Sequence, residues 1–129
     1  MPTQSILTSQ KLVAFVPTRD PKRAMSFYRD TLGLRLVNEQ LPFALVFDAN
    51  GTMLRVTIVK DFTPMQFTVL GWEVSDIVAT LNALTNAGVV FERYETFMKQ
   101  NELGIWTSPD GTKVAWFKDP DGNLLSIHA

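Results

Sequence analysis

Few side chains in this 129-residue sequence could act as nucleophiles or hold a transition metal. There is no cysteine, which excludes thiolate nucleophiles, thiolate metal ligands and disulfides. The single histidine, His128, excludes a site built from several histidines of one chain. No phosphate-binding loop, nucleophile elbow or dinucleotide fingerprint occurs. Carboxylates, guanidinium groups, hydroxyls and aromatic rings therefore remain as the sources of binding or catalysis.

The aromatic side chains could stack on a planar or cationic ligand. Trp106 follows the polar segment 99–102, where a lid over a cleft (97–103) would lie, and is the best candidate for ligand contact. Trp72 is interpreted as a core residue that faces the helix layer. The sequence does not decide on which face of its strand Trp116 lies. Phe97 and Met98 either cover the mouth of a cleft or pack locally under the loop.

Charge and hydropathy exclude several classes of partner. Twelve basic and thirteen acidic residues give a net charge of −1 without a block of like charges, which predicts no nucleic-acid binding. The content of 46% hydrophobic and 19% charged residues is typical of a globular protein. No long apolar run and no secretion-type leader occur, so we expect no membrane association and a cytoplasmic location.

The first half of the sequence predicts the element order βαβββ. The apolar run 11–17 predicts a buried strand. Asp20 and Pro21 are an N-cap and an N1 residue, and a helical spacing of apolar residues follows until Gly33. Strands are predicted at 34–37, 43–48 and 53–59.

The second half repeats this order. A strand at 67–74 precedes a helix that is capped by Asp76 and ends at Gly88. Strands are predicted at 89–94, 105–108, 112–117 and 123–128. A tandem duplication explains the recurrence of helix, stop glycine and Asp-x-x-Gly turn, and a ferredoxin-like α+β sandwich is the alternative. We predict an α+β fold and one domain (1–129) of two tandem βαβββ modules, about 11–60 and about 65–128, whose sheets form a half-barrel cleft.

Two motifs carry a family resemblance. The segment 24–34 (AMSFYRDTLGL) resembles the pattern A-x-x-F-Y-x-x-x-L-G-L, and the segment 119–123 (DPDGN) resembles a second signature of the vicinal oxygen chelate superfamily. This superfamily contains glyoxalase I, bleomycin-resistance proteins, extradiol dioxygenases and fosfomycin-resistance enzymes. The resemblance covers about 11–128 and implies the half-barrel fold and a homodimer, but it does not identify the reaction.

Enzymes of that superfamily hold a divalent metal at four strand positions, which can be counted here. Val13 and Val69 lie seven residues before the capping aspartates, and Arg55 and Ser126 follow the turn glycines by four. Two aliphatic side chains, a guanidinium and a hydroxyl are not a ligand set for a divalent cation. The resemblance therefore implies that the metal site is lost, and we expect neither a metal nor a cofactor.

The polar candidates in the cleft are Arg55, Glu73 and His128. Arg55 could bind a carboxylate, phosphate or enolate oxygen, and Glu73 or His128 could move a proton as catalytic residues. Alternatively, Arg55 and Glu73 pair with each other across the former metal position. His128 is next to the chain end, where we expect fraying.

The main hypothesis is a metal-independent binding protein for a small organic ligand, similar to the ligand-sequestering resistance proteins. The alternative is an enzyme of the superfamily (a lyase, isomerase or dioxygenase) with an altered site that uses Arg55 and Glu73. A third possibility is an interaction module with a vestigial cleft. The predicted ligand-binding residues are Phe15, Met53, Arg55, Trp106 and Ser126.

Overall fold

The computed structural model describes residues 6–129, which form two four-stranded sheets. Part of the polar segment 1–10, residues 1–5, lies outside the described residues. The first sheet has the order β1-β4-β3-β2, with β1 parallel to β4 and the other pairs antiparallel. Its strands are β1 (Val13–Thr18), β2 (Arg35–Gln40), β3 (Ala44–Ala49) and β4 (Thr52–Ile58).

The second sheet repeats this topology with the order β5-β8-β7-β6. Strand β5 is parallel to β8, which also pairs with β7 in antiparallel fashion. The two edge strands β1 and β5 lie next to each other. Its strands are β5 (Thr68–Glu73), β6 (Trp106–Thr107), β7 (Lys113–Lys118) and β8 (Leu124–His128). The predicted α+β class and the repeated order of elements are confirmed.

Each half has one helix, and each begins at the predicted aspartate. The Asp20 side chain accepts hydrogen bonds from the amides of Lys22 and Arg23 at the start of α1 (Pro21–Met25), and the Asp76 side chain caps α2 (Ile77–Asn86). The first helix continues as a π-helix over Ser26–Thr31, a change of helix type that the apolar spacing did not predict. No helix within residues 6–129 is long and apolar enough to cross a membrane.

The predicted strand 89–94 is wrong. Phe91 makes a single bridge to Phe117, and the amide of Glu92 donates to the carbonyl of Trp116 at 2.8 Å. After this contact the chain turns, because the carbonyl of Tyr94 accepts bonds from the amides at 97 and 98. The segment is apolar because Val89 and Phe91 pack inward, not because it forms a ladder.

The two halves share one hydrophobic core, which the first helix helps to join. Phe27 lies edge-on to Tyr28 with 5.1 Å between the ring centroids, and it also contacts Phe117 of the second sheet at 6.5 Å. Tyr28 is buried, and Phe27 is half-buried against the core, as the helical spacing predicts. The core side chains from the strands include Val16, Leu45, Phe47, Leu54, Val56, Ala115, Phe117, Leu125 and Ile127.

Buried carboxylates of the turn between β7 and β8 connect the halves. Asp121 accepts hydrogen bonds from the Thr18 hydroxyl at 2.5 Å and from the amide of Arg19 at 2.9 Å. The side-chain amide of Asn123 donates to the carbonyl of Pro17 at 2.9 Å. We call these contacts, with the Tyr28–Asp119 bond described next, the turn network. It fixes the loop between β1 and α1 against the second sheet.

Asp119 is the most enclosed carboxylate of the turn network. It accepts hydrogen bonds from the Tyr28 hydroxyl at 2.6 Å, from the side chain of Asn123 at 2.8 Å and from the amides of residues 121 and 123. Burial raises the pKa of Asp119, and the donated bonds oppose this rise. The pKa of Tyr28 is raised by burial and by the neighbouring Asp119 carboxylate, so its hydroxyl stays a donor at neutral pH.

Arg19 connects the segment between the two modules, the predicted linker 61–64, to the turn network. Its guanidinium lies 3.6 Å from carboxylate oxygens of both Asp61 and Asp121, and it stacks 4.7 Å from the centroid of the Phe62 ring. The linker therefore packs against the first module and leads directly into β5.

Candidate functional site

Each sheet has one face toward the core and one that points away from it, here called the open face. In the first sheet, Phe15 and Val46 flank Arg55 on the open face, because they are its register partners on β1 and β3. In the second sheet, Gly71 and Trp116 flank Ser126 in the same way. The strands thus place equivalent residues of the two modules on equivalent surfaces.

A cavity with a volume of about 690 Å³ lies on the open face of the second sheet. We call it the aromatic cavity. It is bounded by the start of β5, by β7 and β8, and by the segment before β6. Its lining residues are Pro64, Met65, Gln66, Phe67, Thr68, Tyr94, Phe97, Met98, Trp116, Lys118, Gly122 and Leu124.

Four aromatic rings in contact form one wall of this cavity and the layer next to it. Trp116 lies edge-on to Tyr94 at 5.8 Å between centroids and is tilted against Trp106 at 6.0 Å. Tyr94 contacts Phe97 at 5.6 Å. The indole nitrogen of Trp116 donates to the Thr68 hydroxyl oxygen at 3.1 Å, which fixes the orientation of the ring.

The segment that carries Phe97 and Met98 is held by the side chain of Gln100. The Gln100 amide nitrogen donates to the carbonyls of Glu92 at 3.2 Å and Gly104 at 2.7 Å, and its oxygen accepts from the amide of Tyr94. Phe97 nevertheless remains 73% exposed at the mouth of the cavity. Because the Gln100 bonds hold the backbone of this segment in place, the apolar Phe97 ring stays exposed to water and can contact a ligand.

The carboxylate of Glu92 affects two ionisable residues that line the aromatic cavity, Lys118 and Tyr94. Lys118 Nζ lies 3.6 Å from Glu92 Oε1, with both side chains partly exposed. Burial and the Glu92 carboxylate raise the pKa of Tyr94, so its hydroxyl is neutral at physiological pH. Lys118 is the one cationic residue among those of the described chain that line the cavity.

The residues predicted from the first module lie apart from the aromatic cavity. Phe15 is 61% exposed and stands beside Arg55, which is half-buried on the open face of β4. Met53 lines a smaller cavity of about 250 Å³ together with Val13. Within residues 6–129, no carboxylate lies close enough to form an ion pair with Arg55, so the predicted pairing with Glu73 does not form.

The predicted residues of the second module are closer to the aromatic wall. Trp106 packs against Trp116, and Ser126 is buried beside it as the register partner of Trp116. Glu73 and His128 are register partners in the parallel pair of β5 and β8, and both lie on the open face. They form the candidate proton-transfer pair.

The expectation that His128 frays is wrong. Strand β8 is an inner strand that is paired on both sides, and the carbonyl of His128 accepts a bond from Val74 at 2.8 Å. Ala129 exchanges two backbone bonds with Lys113, at 2.8 and 2.9 Å. These bonds hold the final residue in place, although it is the last of the sequence.

The four positions that hold the metal in related enzymes do not fit a divalent cation here. Val13 lines the smaller cavity, whereas Val69 packs against the core at a bulge in β5. Arg55 supplies only donors and a positive charge, and Ser126 supplies one neutral hydroxyl. Within residues 6–129, no group of three His, Cys, Asp or Glu side chains is close enough to hold a metal ion.

Sequence reasoning identified Trp106 next to the aromatic cavity, left Trp116, Phe97 and Met98 undecided, and missed most of the other residues that line it. Tyr94 fell in a predicted strand that does not form, and Lys118 was not considered. The strict alternation of β7 would have placed Trp116 and Lys118 on one face, once Ala115 and Phe117 were assigned to the core.

Comparisons with known proteins agree with this geometry. A family model described as Glyoxalase/Bleomycin resistance protein/Dioxygenase superfamily matches residues 11–127. A member of that superfamily from Sphaerobacter thermophilus DSM 20745 is 23% identical, with a TM-score of 0.69 over 92% of this chain and 94% of that one. A glyoxalase/bleomycin resistance protein from Streptomyces sp. CB03234 is 24% identical, with a TM-score of 0.64 over 92% and 99%.

A lactoylglutathione lyase from Agrobacterium tumefaciens is also similar in fold, at 17% identity and a TM-score of 0.63 over 93% of this chain and 92% of that one. No curated protein matches the chain significantly. At these identities the solved structures show the fold alone. The family model covers the chain from before β1 into β8, and the protein therefore belongs to the Glyoxalase/Bleomycin resistance protein/Dioxygenase superfamily.

Proposed function

We propose that this protein binds a small organic molecule without a metal, in the manner of the ligand-sequestering resistance proteins of its superfamily. The aromatic cavity is the observation that carries the proposal. Its volume of about 690 Å³ is within the range of pockets for drug-sized ligands, and half of its lining residues have aromatic or thioether side chains. Such a wall binds planar molecules by stacking and excludes water.

The unsuitable side chains at the metal positions support the same proposal. A related enzyme polarises its substrate with the metal, and this chain has Val13, Val69, Arg55 and Ser126 at those positions. We propose that the ligand is bound in the single domain 1–129, with modules of about 11–60 and about 65–128. The predicted residues Phe15, Met53 and Arg55 would then be a second contact area, on the open face of the first sheet.

Indole signals in NMR spectra test the binding function directly. Naphthalene-2-carboxamide, a neutral planar probe, should shift the Nε1–H signal of Trp116 and, less strongly, that of Trp106. Trp72 packs on the core side of the second sheet, so its indole signal is the internal control. The variant Trp116→Leu should weaken binding about tenfold, which corresponds to ~1.4 kcal/mol, whereas Trp72→Phe should not. Unchanged indole signals at millimolar probe would contradict the proposal.

Metal independence has its own test. A metal ion raises the melting temperature only if the folded state binds it. Zinc, nickel or manganese added to dialysed protein should therefore leave the melting temperature unchanged. One tightly held metal ion per chain after dialysis would overturn this part of the proposal.

We also propose a homodimer, because large apolar side chains are exposed on the open faces of both sheets. Phe15 and Phe67 are each 61% exposed, and Met53 is 43% exposed. A second copy that covers these faces would remove them from water and enclose the cleft. Light scattering coupled to size exclusion should give twice the chain mass, and Phe15→Ser should shift it toward the monomer. We further propose a cytoplasmic location, which cell fractionation would test.

An enzyme of the superfamily with an altered site is the second candidate function. In its favour, Glu73 and His128 are side by side on β5 and β8, and Arg55 is not neutralised by a carboxylate within residues 6–129. In such a site Glu73 removes a proton next to a carbonyl, and Arg55 stabilises the enolate oxygen. Deuterium exchange into dihydroxyacetone should then be catalysed by the wild type and lost in Glu73→Gln. Exchange at the rate of buffer alone would exclude this candidate.

A further inference from the structure

The wall of the aromatic cavity has an asymmetric charge. Among its lining residues in the described part of the chain, Lys118 alone carries a formal charge at neutral pH. No carboxylate of residues 6–129 lines the cavity. From this we propose that the ligand is a planar molecule with an acidic group, and that Lys118 binds this group. The inference rests on the binding function proposed above and specifies its ligand class.

Strand geometry places Lys118 next to the position that a ring stacked on Trp116 would occupy. Trp116 and Lys118 are two residues apart on β7 and therefore lie on the same, open face. Lys118 is the register partner of Leu124, which also lines the cavity. A planar ligand stacked on the indole thus has an ammonium group at its edge.

The ion pair of Lys118 with Glu92 is weak enough to be exchanged. The two charged atoms are 3.6 Å apart, and the side chains are 50% and 28% exposed. An exposed pair of this kind contributes little to stability, because water screens the charges and two long side chains lose freedom. An acidic group inside the cavity competes for the same ammonium in a drier environment, where the attraction is stronger.

The neutral polar groups of the cavity also favour an acceptor. The Thr68 oxygen accepts the bond from the Trp116 indole, which leaves the hydroxyl hydrogen of Thr68 to be donated elsewhere. Gln66 adds an amide that can donate as well. A cationic ligand would gain from the aromatic faces, but it would meet the positive charge of Lys118. The donors and the single cation together select an anion.

Three naphthalene probes of equal size test the inference by calorimetry: naphthalene-2-carboxylate, naphthalene-2-carboxamide and 2-naphthylmethylammonium. Wild-type protein should bind the carboxylate about tenfold more tightly than the amide, which corresponds to ~1.4 kcal/mol. The preference should vanish in Lys118→Met and persist in Lys118→Arg. Lys113→Met, an exposed lysine at the other end of β7, is the matched control.

A second variant tests the competition by Glu92. Glu92→Gln should tighten binding of the carboxylate several-fold and leave binding of the amide unchanged. Equal affinity of wild type for carboxylate and amide would overturn the inference but leave the binding function supported. Tightest binding of the ammonium probe would overturn it in favour of a cationic ligand. If no probe binds, the binding function itself fails, and the inference fails with it.

Discussion

The hydroxyl of Tyr28 donates a hydrogen bond of 2.6 Å to Oδ2 of Asp119, and this bond joins the helix of the first half to the β7–β8 turn of the second. The two residues belong to the two sequence signatures of the superfamily. In this protein the conspicuous motifs therefore hold the halves together, and the second motif also reaches the aromatic cavity through Gly122.

Loss of the Tyr28 hydroxyl should destabilise the fold. Tyr28→Phe keeps the buried ring but leaves the enclosed Asp119 carboxylate with one donor fewer, which should cost about 1–3 kcal/mol. Urea unfolding followed by circular dichroism measures the change. Tyr94→Phe, at the cavity wall, is the control and should change the free energy of unfolding by less than about 0.5 kcal/mol. Equal effects of the two variants would contradict the role of the bond.

Asp119 should make a distinctive contribution to the pH dependence of stability. Its pKa is raised in the folded state, so on acidification the folded protein takes up this proton before the unfolded chain does. The contribution of Asp119 to stability therefore increases as the pH falls from neutral through the raised pKa, and it levels off below the ordinary value. When the pH is lowered from about 7 to about 4, the unfolding free energy of the wild type should increase relative to that of Asp119→Asn, so the difference between them (wild type minus variant) becomes more positive. A difference that shrinks over this range would refute the raised pKa.

The Thr18 hydroxyl should contribute to stability through Asp121. Thr18 is fully buried and donates to the Asp121 carboxylate at 2.5 Å. The isosteric Thr18→Val removes this donor and should cost about 1–3 kcal/mol in unfolding free energy. Thr57→Val is the same change on the open face of the same sheet and should be nearly neutral. A neutral Thr18→Val would show that Arg19 alone satisfies the carboxylate.

Gly71 and Ser126 should show coupled effects on stability. A Cβ atom at Gly71 would lie 2.9 Å from Oγ of Ser126, closer than van der Waals contact allows. Gly71→Ala should therefore destabilise the wild type by about 1–2 kcal/mol. In a Ser126→Ala background the clash is removed, and the same change should be neutral or stabilising. An equal loss in both backgrounds would place the strain in the backbone.

Much of the fold was predictable from local signals. Asp20, Asp76 and the glycine stops determine where the helices begin and end, because capping and positive φ depend on neighbours along the chain. The π-helix at 26–31 was not predictable, since α- and π-helices place apolar residues on similar faces. The strand predicted at 89–94 failed because this segment contacts the edge of β7 only at residues 91 and 92 and the chain then turns at 94–98.

The candidate site was predicted less well than the fold. Counting from motifs located Arg55 and Ser126 on the open faces, but a bulge at Val69 shifts that residue toward the core. The aromatic cavity depends on contacts between residues far apart in sequence, such as the bond from Trp116 to Thr68. Such contacts follow from the pairing of β7 with β8, which local sequence does not specify.

The turn network makes the two halves of the fold unequal. Within the described chain, the side-chain oxygens of Asp121 take their donors from Thr18 and Arg19, which lie in the opposite half. A half-length protein that paired with itself would have Asn50 at the matching position, directly before its turn glycine, and therefore a neutral amide in place of the acid. The two halves are therefore not interchangeable, because the first supplies the donors of this contact and the second supplies the acid.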